Sequence, residues 1–333
     1  MSSTSHDATR PIVTLQAHTL AHQALHPDAT GTFSWILSAI SGSAKRIAAA
    51  VRRARLEDVL GSAGETNVQG ETQQKLDVIA NEILLQTLSE REGVAVIASE
   101  ENEEPVMLRV QNDGQSRYCV LFDPLDGSSN LDICGSVGTI FSILRKEAAA
   151  SAGNAILQPG ACQVAAGYVL YGSSTVMVLT IGAGVDMFVL DPSIGSFVRV
   201  AQGLKIPPRN KCYSLNEGNR RGFPAGYQRY LEWAQSNGYS SRYVGAMVGD
   251  MHRVLLQGGV FMYPPTAKAP KGKLRLMYEA NPMALLVEQA GGKALVAPGQ
   301  RILDVRPETV HQRCSVILGS SAEVDAVVTQ LAD

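Results

Sequence analysis

Tyr118-Cys119-Val120-Leu121-Phe122-Asp123-Pro124-Leu125-Asp126-Gly127-Ser128-Ser129-Asn130 is an apolar run that empties into two carboxylates, a glycine and two hydroxyls. The unbroken apolar stretch Tyr118–Phe122 predicts a strand of the fully buried type, which delivers Asp123 at its end. Pro124 stiffens the exit, and Asp126 follows three residues after Asp123.

The segments on either side extend this into an α/β chain with mixed sheets in layers. Apolar periodicity predicts a helix from Phe33 to about Leu60, capped by Thr30 or Thr32, and a second over Thr72–Arg91. Between them, Gly61–Gly70 reads as a loop. Val94–Ala98 is a short strand ending in Ser99-Glu100-Glu101. Further strands are expected at Val137–Leu144, Gln163–Leu170, Thr175–Ile181, Met187–Leu190 and Phe197–Val200. After a Pro-rich, basic stretch at Lys205–Asn210, helix and strand alternate. Helices are expected at Gly226–Gln235, Val248–Leu256, Pro282–Gln289 and Ala322–Leu331, with strands at Gly259–Met262 and Ser315–Leu318. The domain reading is an arm over 1–28, an N-terminal half over 29–200 and a C-terminal half over 201–333.

Composition narrows the classes of function. The chain of 333 residues has a net charge of −2, so it carries no basic field for nucleic acid or an anionic membrane surface. Its five cysteines are scattered and form no C-x-x-C pair, which fits a reducing compartment, and a cytoplasmic location is expected. No apolar run reaches the length of a membrane span, and the polar start, Met-Ser-Ser-Thr-Ser-His-Asp, has no signal core. His18, His22 and His26 recur every fourth residue. A metal stripe on a helix is one reading of them, and a solvated leader is the preferred one.

At Asp123 and Asp126 two readings stay open on spacing alone. Asp-Pro-x-Asp-Gly is good turn chemistry. Equally, two carboxylates placed together call for a cation, with the Leu125 carbonyl between them as a further oxygen. Gly127, Ser128 and Ser129 offer successive backbone N–H groups suited to a phosphate. Glu100 and Glu101, and then Glu71 and Asp77, supply further acidic clusters. If these converge, the site is all oxygen, which selects Mg²⁺ or Mn²⁺ over Zn²⁺. No G-x-S-x-G elbow or Walker A loop is present, leaving a water activated by metal as the nucleophile.

Asp123–Asn130 resembles the signature of the lithium-sensitive, Mg²⁺-dependent phosphatase superfamily. Tyr213–Gly218, Arg242–Met247 and Pro270–Met283 resemble motifs of class I fructose-1,6-bisphosphatases, in order from about Ala29 onward. The resemblance implies an αβαβα layered fold with two mixed β-sheets, and hydrolysis of fructose 1,6-bisphosphate with two or more Mg²⁺ per subunit. By it, Glu100, Asp123, Leu125, Asp126 and Glu279 match metal ligands. Glu101, Asp77 and Glu71 match the carboxylates that handle the attacking water, although position 71 is typically Asp in the family. Gly127, Ser128, Ser129 and Arg275 match the 1-phosphate pocket. Asn216, Tyr243 and Tyr263 match the 6-phosphate pocket, with Arg242 reaching in from a neighbouring subunit of a homotetramer. Lys273 and Met247 match sugar contacts.

The resemblance also implies an AMP site. Thr30, Gly31, Phe33 and Ser34 match a helix start, and Arg117, Tyr118 and Arg145 match the facing wall. Thr32, Phe33 and Ser34 depart from the family's usual residues there. A thiol switch is not expected, because Arg145–Pro159 is short and holds no Cys. The alternatives are a sedoheptulose-1,7-bisphosphatase or dual-specificity enzyme and, in a different class, a non-catalytic AMP-binding regulatory protein. An inositol monophosphatase is disfavoured by the motifs at Tyr213–Gly218 and Arg242–Met247.

Overall fold

A computed structural model describes residues 12–25, 31–57, 59–66, 72–108, 117–146 and 154–332. The expected positions Thr30 and Glu71 lie outside the described residues, as does His26. Helices α1 (Leu15–Gln23) and α2 (Thr32–Arg53) come first. The strands β1 (Ser62–Thr66) and β2 (Thr72–Gln74), helix α3 (Lys75–Ser89), and strands β3 (Val94–Ser99), β4 (Val106–Met107), β5 (Tyr118–Asp126) and β6 (Val137–Arg145) follow. Next come β7 (Gln163–Tyr171), β8 (Thr175–Thr180), β9 (Asp186–Asp191) and β10 (Ser196–Ala201). The remainder holds β11 (Cys212–Ser214), α4 (Ala225–Ser236), β12 (Ser240–Ser241), α5 (Met247–Gln257), β13 (Val260–Tyr263) and β14 (Leu274–Arg275). It ends with α6 (Asn281–Gln289), β15 (Lys293–Ala297), β16 (Gln300–Arg301), β17 (Arg313–Cys314), β18 (Val316–Gly319) and α7 (Ser321–Ala332).

Two mixed sheets form the frame. An eight-stranded sheet has the order β10-β9-β8-β7-β6-β5-β3-β4, with β3 and β5 parallel and the other neighbours antiparallel. A six-stranded sheet has the order β12-β11-β13-β18-β15-β16. The two-residue period of each strand sorts its side chains into separate cores. On β5 and β6, Val120, Phe122, Phe141 and Ile143 meet Ile36, Ile40, Leu76 and Leu84 of α2 and α3. From the opposite face of the same sheet, Ile140, Tyr168 and Val178 meet Val248, Met251 and Leu286 of α5 and α6. That core continues to Phe261, Val316 and Leu318 of the second sheet. Val260, Met262 and Ile317 point the other way, onto Tyr230 and Leu231 of α4 and Val324 and Val327 of α7. The result is the αβαβα stack.

Several boundaries differ from the sequence reading. The first long helix ends at Arg53, and its N-cap is Gly31 in the left-handed region (φ 82°), which has no side chain to cap with. The expected loop after it contains β1, paired with β2, so the next helix begins at Lys75. Strand β5 runs on through Asp126.

The stretch read as a leader contains α1, which Thr14 caps by accepting the Ala17 amide at 3.1 Å. His18 is mostly covered there. Its ring meets Phe188 edge-on at 5.4 Å, and its Nδ1 lies 3.4 Å from Asp186 and 3.2 Å from Arg199 Nη1. His18 is therefore a packing residue rather than part of a solvated leader. Burial lowers its pKa, the nearby Asp186 opposing.

Candidate active site

The pairing of β5 with β6 explains how two aspartates three residues apart reach one face. Asp123 pairs with Ile140, but Asp126 pairs with Gly138, so three steps on β5 oppose two on β6. This one-residue bulge resets the alternation and returns Asp126 to the side of Asp123. Pro124, which has no N–H to give a ladder, lies within it, and its carbonyl accepts the Thr139 hydroxyl at 2.8 Å.

Gly138 and Gly127 make the surroundings possible. A Cβ on Gly138 would lie 2.4 Å from the Val169 carbonyl oxygen and 2.8 Å from Val248 Cγ2, so its absence lets α5 approach the strand. The first turn of α5 then donates the Val248 N–H to Asp126 Oδ2 at 2.7 Å. Gly127 has φ 75°, and a Cβ there would sit 2.2 Å from that of Ala246. It opens the short 3₁₀ turn Ser128–Ile133, whose first amides have no partner within the turn.

A cavity of about 430 Å³ gathers most of the expected residues. Glu100, Glu101, Asp123, Leu125, Asp126 and Glu279 line it, together with Gly127, Ser128, Ser129 and Arg275. Tyr243, Met247, Tyr263 and Lys273 complete the expected part of the wall. Carboxylate oxygens of Asp123, Asp126 and Glu279 all lie within 4.8 Å of one another. Arg275 answers part of this charge. Its guanidinium pairs with Glu100 and stands 3.9 Å from Glu279, and its backbone N–H donates to Glu279 Oε2 at 2.6 Å.

Burial drives the carboxyl of Asp123 well above the ordinary carboxylate range. Repulsion from Glu100, Asp126 and Glu279 adds to this, and Arg275 opposes it. Asp126 is pushed up to about 8, by burial and then Glu279, with the Val248 N–H and Arg275 acting against the rise. A hard divalent cation removes this conflict, because it takes carboxylate and carbonyl oxygens and rewards their charge. The donor set fits such an ion.

Three expected residues lie outside the cavity wall. Asp77 is buried at the start of α3, where its Oδ2 accepts the Gln74 N–H at 2.8 Å, and Gln74 is the residue that faces the cavity. Asn216 caps a 3₁₀ turn by accepting the Gly218 N–H, and it hydrogen-bonds Tyr243. Arg242 is exposed and donates to its neighbour's carbonyl at Ser241. Of the acidic loop, Glu103 and Glu104 are exposed, while Glu101 Oε2 accepts from Gln73 at 2.6 Å.

The sequence reading missed Asp250. It is buried on α5 and accepts from Val244 N at 2.9 Å, Gly245 N at 3.1 Å and Ser214 Oγ at 2.7 Å. It thereby pins the turn that carries Tyr243. An Asp in the first turn of an apolar-periodic helix was the available signal, and helix-dipole complementation was the ordinary explanation for it.

The long-range order of these motifs is matched by known proteins. The fructose-1-6-bisphosphatase N-terminal domain family matches residues 13–202, and the corresponding C-terminal domain family matches 206–332. The chain belongs to the fructose-1,6-bisphosphatase family. It is 48% identical over 322 residues to a class 1 fructose-1,6-bisphosphatase of Chloroherpeton thalassium, covering 94% of this chain and 91% of that one. A class 1 fructose-1,6-bisphosphatase of Chlorobium chlorochromatii is 47% identical, covering 94% of this chain and 96% of that protein. The crystal structure of Leishmania major fructose-1,6-bisphosphatase in holo form superposes with a TM-score of 0.91 at 40% identity, covering 96% of this chain and all of that one. The T-state structure of the same enzyme gives 0.87 at 39% identity, covering 97% and 100%.

Of the seven residues that the resemblance matches to an AMP site, Thr30 lies outside the described residues, and several of the others come together. Arg145 Cζ lies 5.8 Å from the centre of the Tyr118 ring, and Phe33 lies 5.9 Å from it. Tyr118 and Arg145 are direct partners across β5 and β6, and Arg117 accepts the Lys146 N–H at its carbonyl. Gly31 starts α2. The Ser34 hydroxyl is engaged, donating to Gln23 Oε1 at 2.6 Å and tying α2 to α1.

Proposed function

We propose that this protein hydrolyses fructose 1,6-bisphosphate at the 1-phosphate, releasing fructose 6-phosphate and inorganic phosphate. The observation that carries the reading is the bulged strand end, which sets Asp123 and Asp126 beside Glu279 in the cavity that Tyr243, Tyr263 and Lys273 also line. Family membership supports a dependence on divalent metal, with Mg²⁺ favoured over Mn²⁺. Asp123, Asp126, Glu279, Glu100 and the Leu125 carbonyl would hold the ions. A bound dication supplies charge neutralisation at the phosphoryl oxygens and acidifies a water.

The chain's own groups do the rest. The amides of Gly127, Ser128 and Ser129, with Arg275, hold the reacting phosphate. Glu101 orients the attacking water and takes its proton, with Asp77 and Glu71 assigned to the same acidic group. Attack forms a bond from water oxygen to phosphorus while the bond from phosphorus to the sugar's O1 breaks, and the sugar oxygen takes up a proton from solvent and leaves as a hydroxyl, balancing the proton that Glu101 accepts. Lys273 and Met247 orient the sugar. Asn216, Tyr243 and Tyr263 hold the distant phosphate, which needs neutralisation and shape but no metal. The Tyr243 phenol suits this, since burial and then Tyr263 raise its pKa to about 12 and keep it a donor.

Arg242, exposed in one chain, completes a neighbour's site in a tetramer. AMP bound between the start of α2 and Tyr118 with Arg145 lowers activity. None of the described helices is long and apolar enough to cross a membrane, and a cytoplasmic setting is part of the proposal.

A substrate panel tests the reading. Fructose 1,6-bisphosphate should be turned over with Mg²⁺ and inhibited by millimolar AMP. Preference for sedoheptulose 1,7-bisphosphate or inositol phosphates would replace the substrate assignment, and binding of AMP without any turnover would favour a regulatory protein.

A further inference from the structure

His311 sits far in sequence from the acidic turn after β3 but grips it directly. Its Nε2 lies 2.9 Å from the carbonyl oxygen of Asn102 and 3.2 Å from that of Glu103. Carbonyls only accept, so Nε2 carries the proton and donates. The ring also packs on Tyr278, with centroids 5.5 Å apart. Tyr278 is buried in the π-helical turn Leu276–Ala280, one residue before Glu279. One side chain thus touches both segments that bring glutamates to the cavity.

The turn holding His311 is itself anchored. Gln312 accepts the Leu276 N–H at its carbonyl at 2.7 Å, and its side-chain oxygen accepts the Glu308 N–H at 2.7 Å. Strands β14 and β17 pair Arg275 with Arg313 directly beside it. From the opposite side, Asn81 of α3 donates to Asn102 Oδ1 at 2.7 Å and accepts the Ser99 hydroxyl at 2.7 Å. Glu100 and Glu101 therefore lie between two tethered residues, Ser99 and Asn102. Asn81 ties the turn to the first half of the chain. His311 ties it to the second half, where Glu279 resides.

We propose that His311 is a positioning residue that sets the spacing between the Glu100–Glu101 turn and Glu279, and thereby the affinity of the site for a divalent cation. This rests on the cation-dependent reading above. Mg²⁺ demands near-ideal octahedral geometry, so small shifts of a ligand-bearing turn matter. Groups that orient ligands from behind commonly change metal affinity by about 10- to 100-fold when removed.

The test compares the full chain with His311→Ala and His311→Gln, the latter retaining a side-chain N–H donor. Three quantities are read: Mg²⁺ binding by calorimetry, amide exchange over residues 100–104, and kinetics on fructose 1,6-bisphosphate. The alanine variant should bind Mg²⁺ about tenfold more weakly or worse, with faster exchange in that segment and a KM for the sugar changed less than about twofold. The glutamine variant should recover most of the affinity and the protection. Wild-type Mg²⁺ affinity and exchange in the alanine variant would overturn the proposal. So would equal losses in both variants accompanied by a general fall in melting temperature, which would mark a purely structural residue. If the wild type releases no phosphate, the proposed reaction fails, and calorimetry with exchange still decides the role of His311.

Discussion

Asp126 accepts the Val248 N–H at 2.7 Å, joining a strand end of the first half to the first turn of a helix in the second. The same carboxylate lies with Asp123 and Glu279 in one cluster. It has a structural partner and a proposed ligand role, and the two can be separated. Asp126→Asn keeps an oxygen acceptor for Val248 but loses the charge. We expect its melting temperature to stay near wild type and its kcat to fall at least about 100-fold, as for loss of a group acting on the transition state. Near-wild-type turnover by this variant would show that Asp126 is turn structure only.

The raised pKa of Asp126 has a consequence for stability. In the metal-free fold this carboxyl ionises near 8, against 3.8 for the unreacted side chain. The folded state therefore holds the proton more tightly, and stability from this group is complete below pH 3.8 and lost as pH rises towards about 8. Metal-free protein should show a contribution that falls with pH across this window, and Mg²⁺ should raise the melting temperature most at its upper end. Mg²⁺ binding should release protons, read by calorimetry in buffers of different ionisation enthalpy. Metal uptake without proton release near neutral pH would contradict the assignment.

Gly127→Ala asks an alanine to adopt φ 75° and to place its Cβ 2.2 Å from that of Ala246. A cost of about 1–3 kcal/mol is expected from overpacking alone. Thermal melts should show the loss, and turnover should fall further than the melt implies because the Ser128 and Ser129 amides move.

Tyr243 borders the cavity while Asn216 stands behind it. Tyr243→Phe removes the donor proposed for the distant phosphate, a charge-assisted bond worth about 1.5–3 kcal/mol. We expect a KM about tenfold higher or more with a smaller change in kcat. A loss confined to kcat would place the phenol at the reacting phosphate.

The sequence exposed the layers because each core strand is apolar over a run that only a covered sheet accommodates. It showed Asp123 and Asp126 as neighbours along the chain. Their common face was not legible, because it depends on a bulge defined only by the partner strand, at Gly138. The start of α3 was misplaced because Thr72–Gln74 pairs with β1, a contact that helical periodicity cannot register. Likewise, α1 went unread because it docks on residues distant in sequence, His18 against Phe188. Asp250 and His311 were overlooked for a related reason: each hydrogen-bonds backbone whose placement only the fold reveals. Arg275 and Glu279 emerged from a family motif, and the structure adds that they are ion-paired neighbours in the cavity wall.

Phosphate release from fructose 1,6-bisphosphate by protein stripped with EDTA, measured before and after Mg²⁺ is restored, addresses the central claim most directly. The stripped protein should release no phosphate and should recover fully with Mg²⁺. Equal release in both states, or none in either, would contradict it.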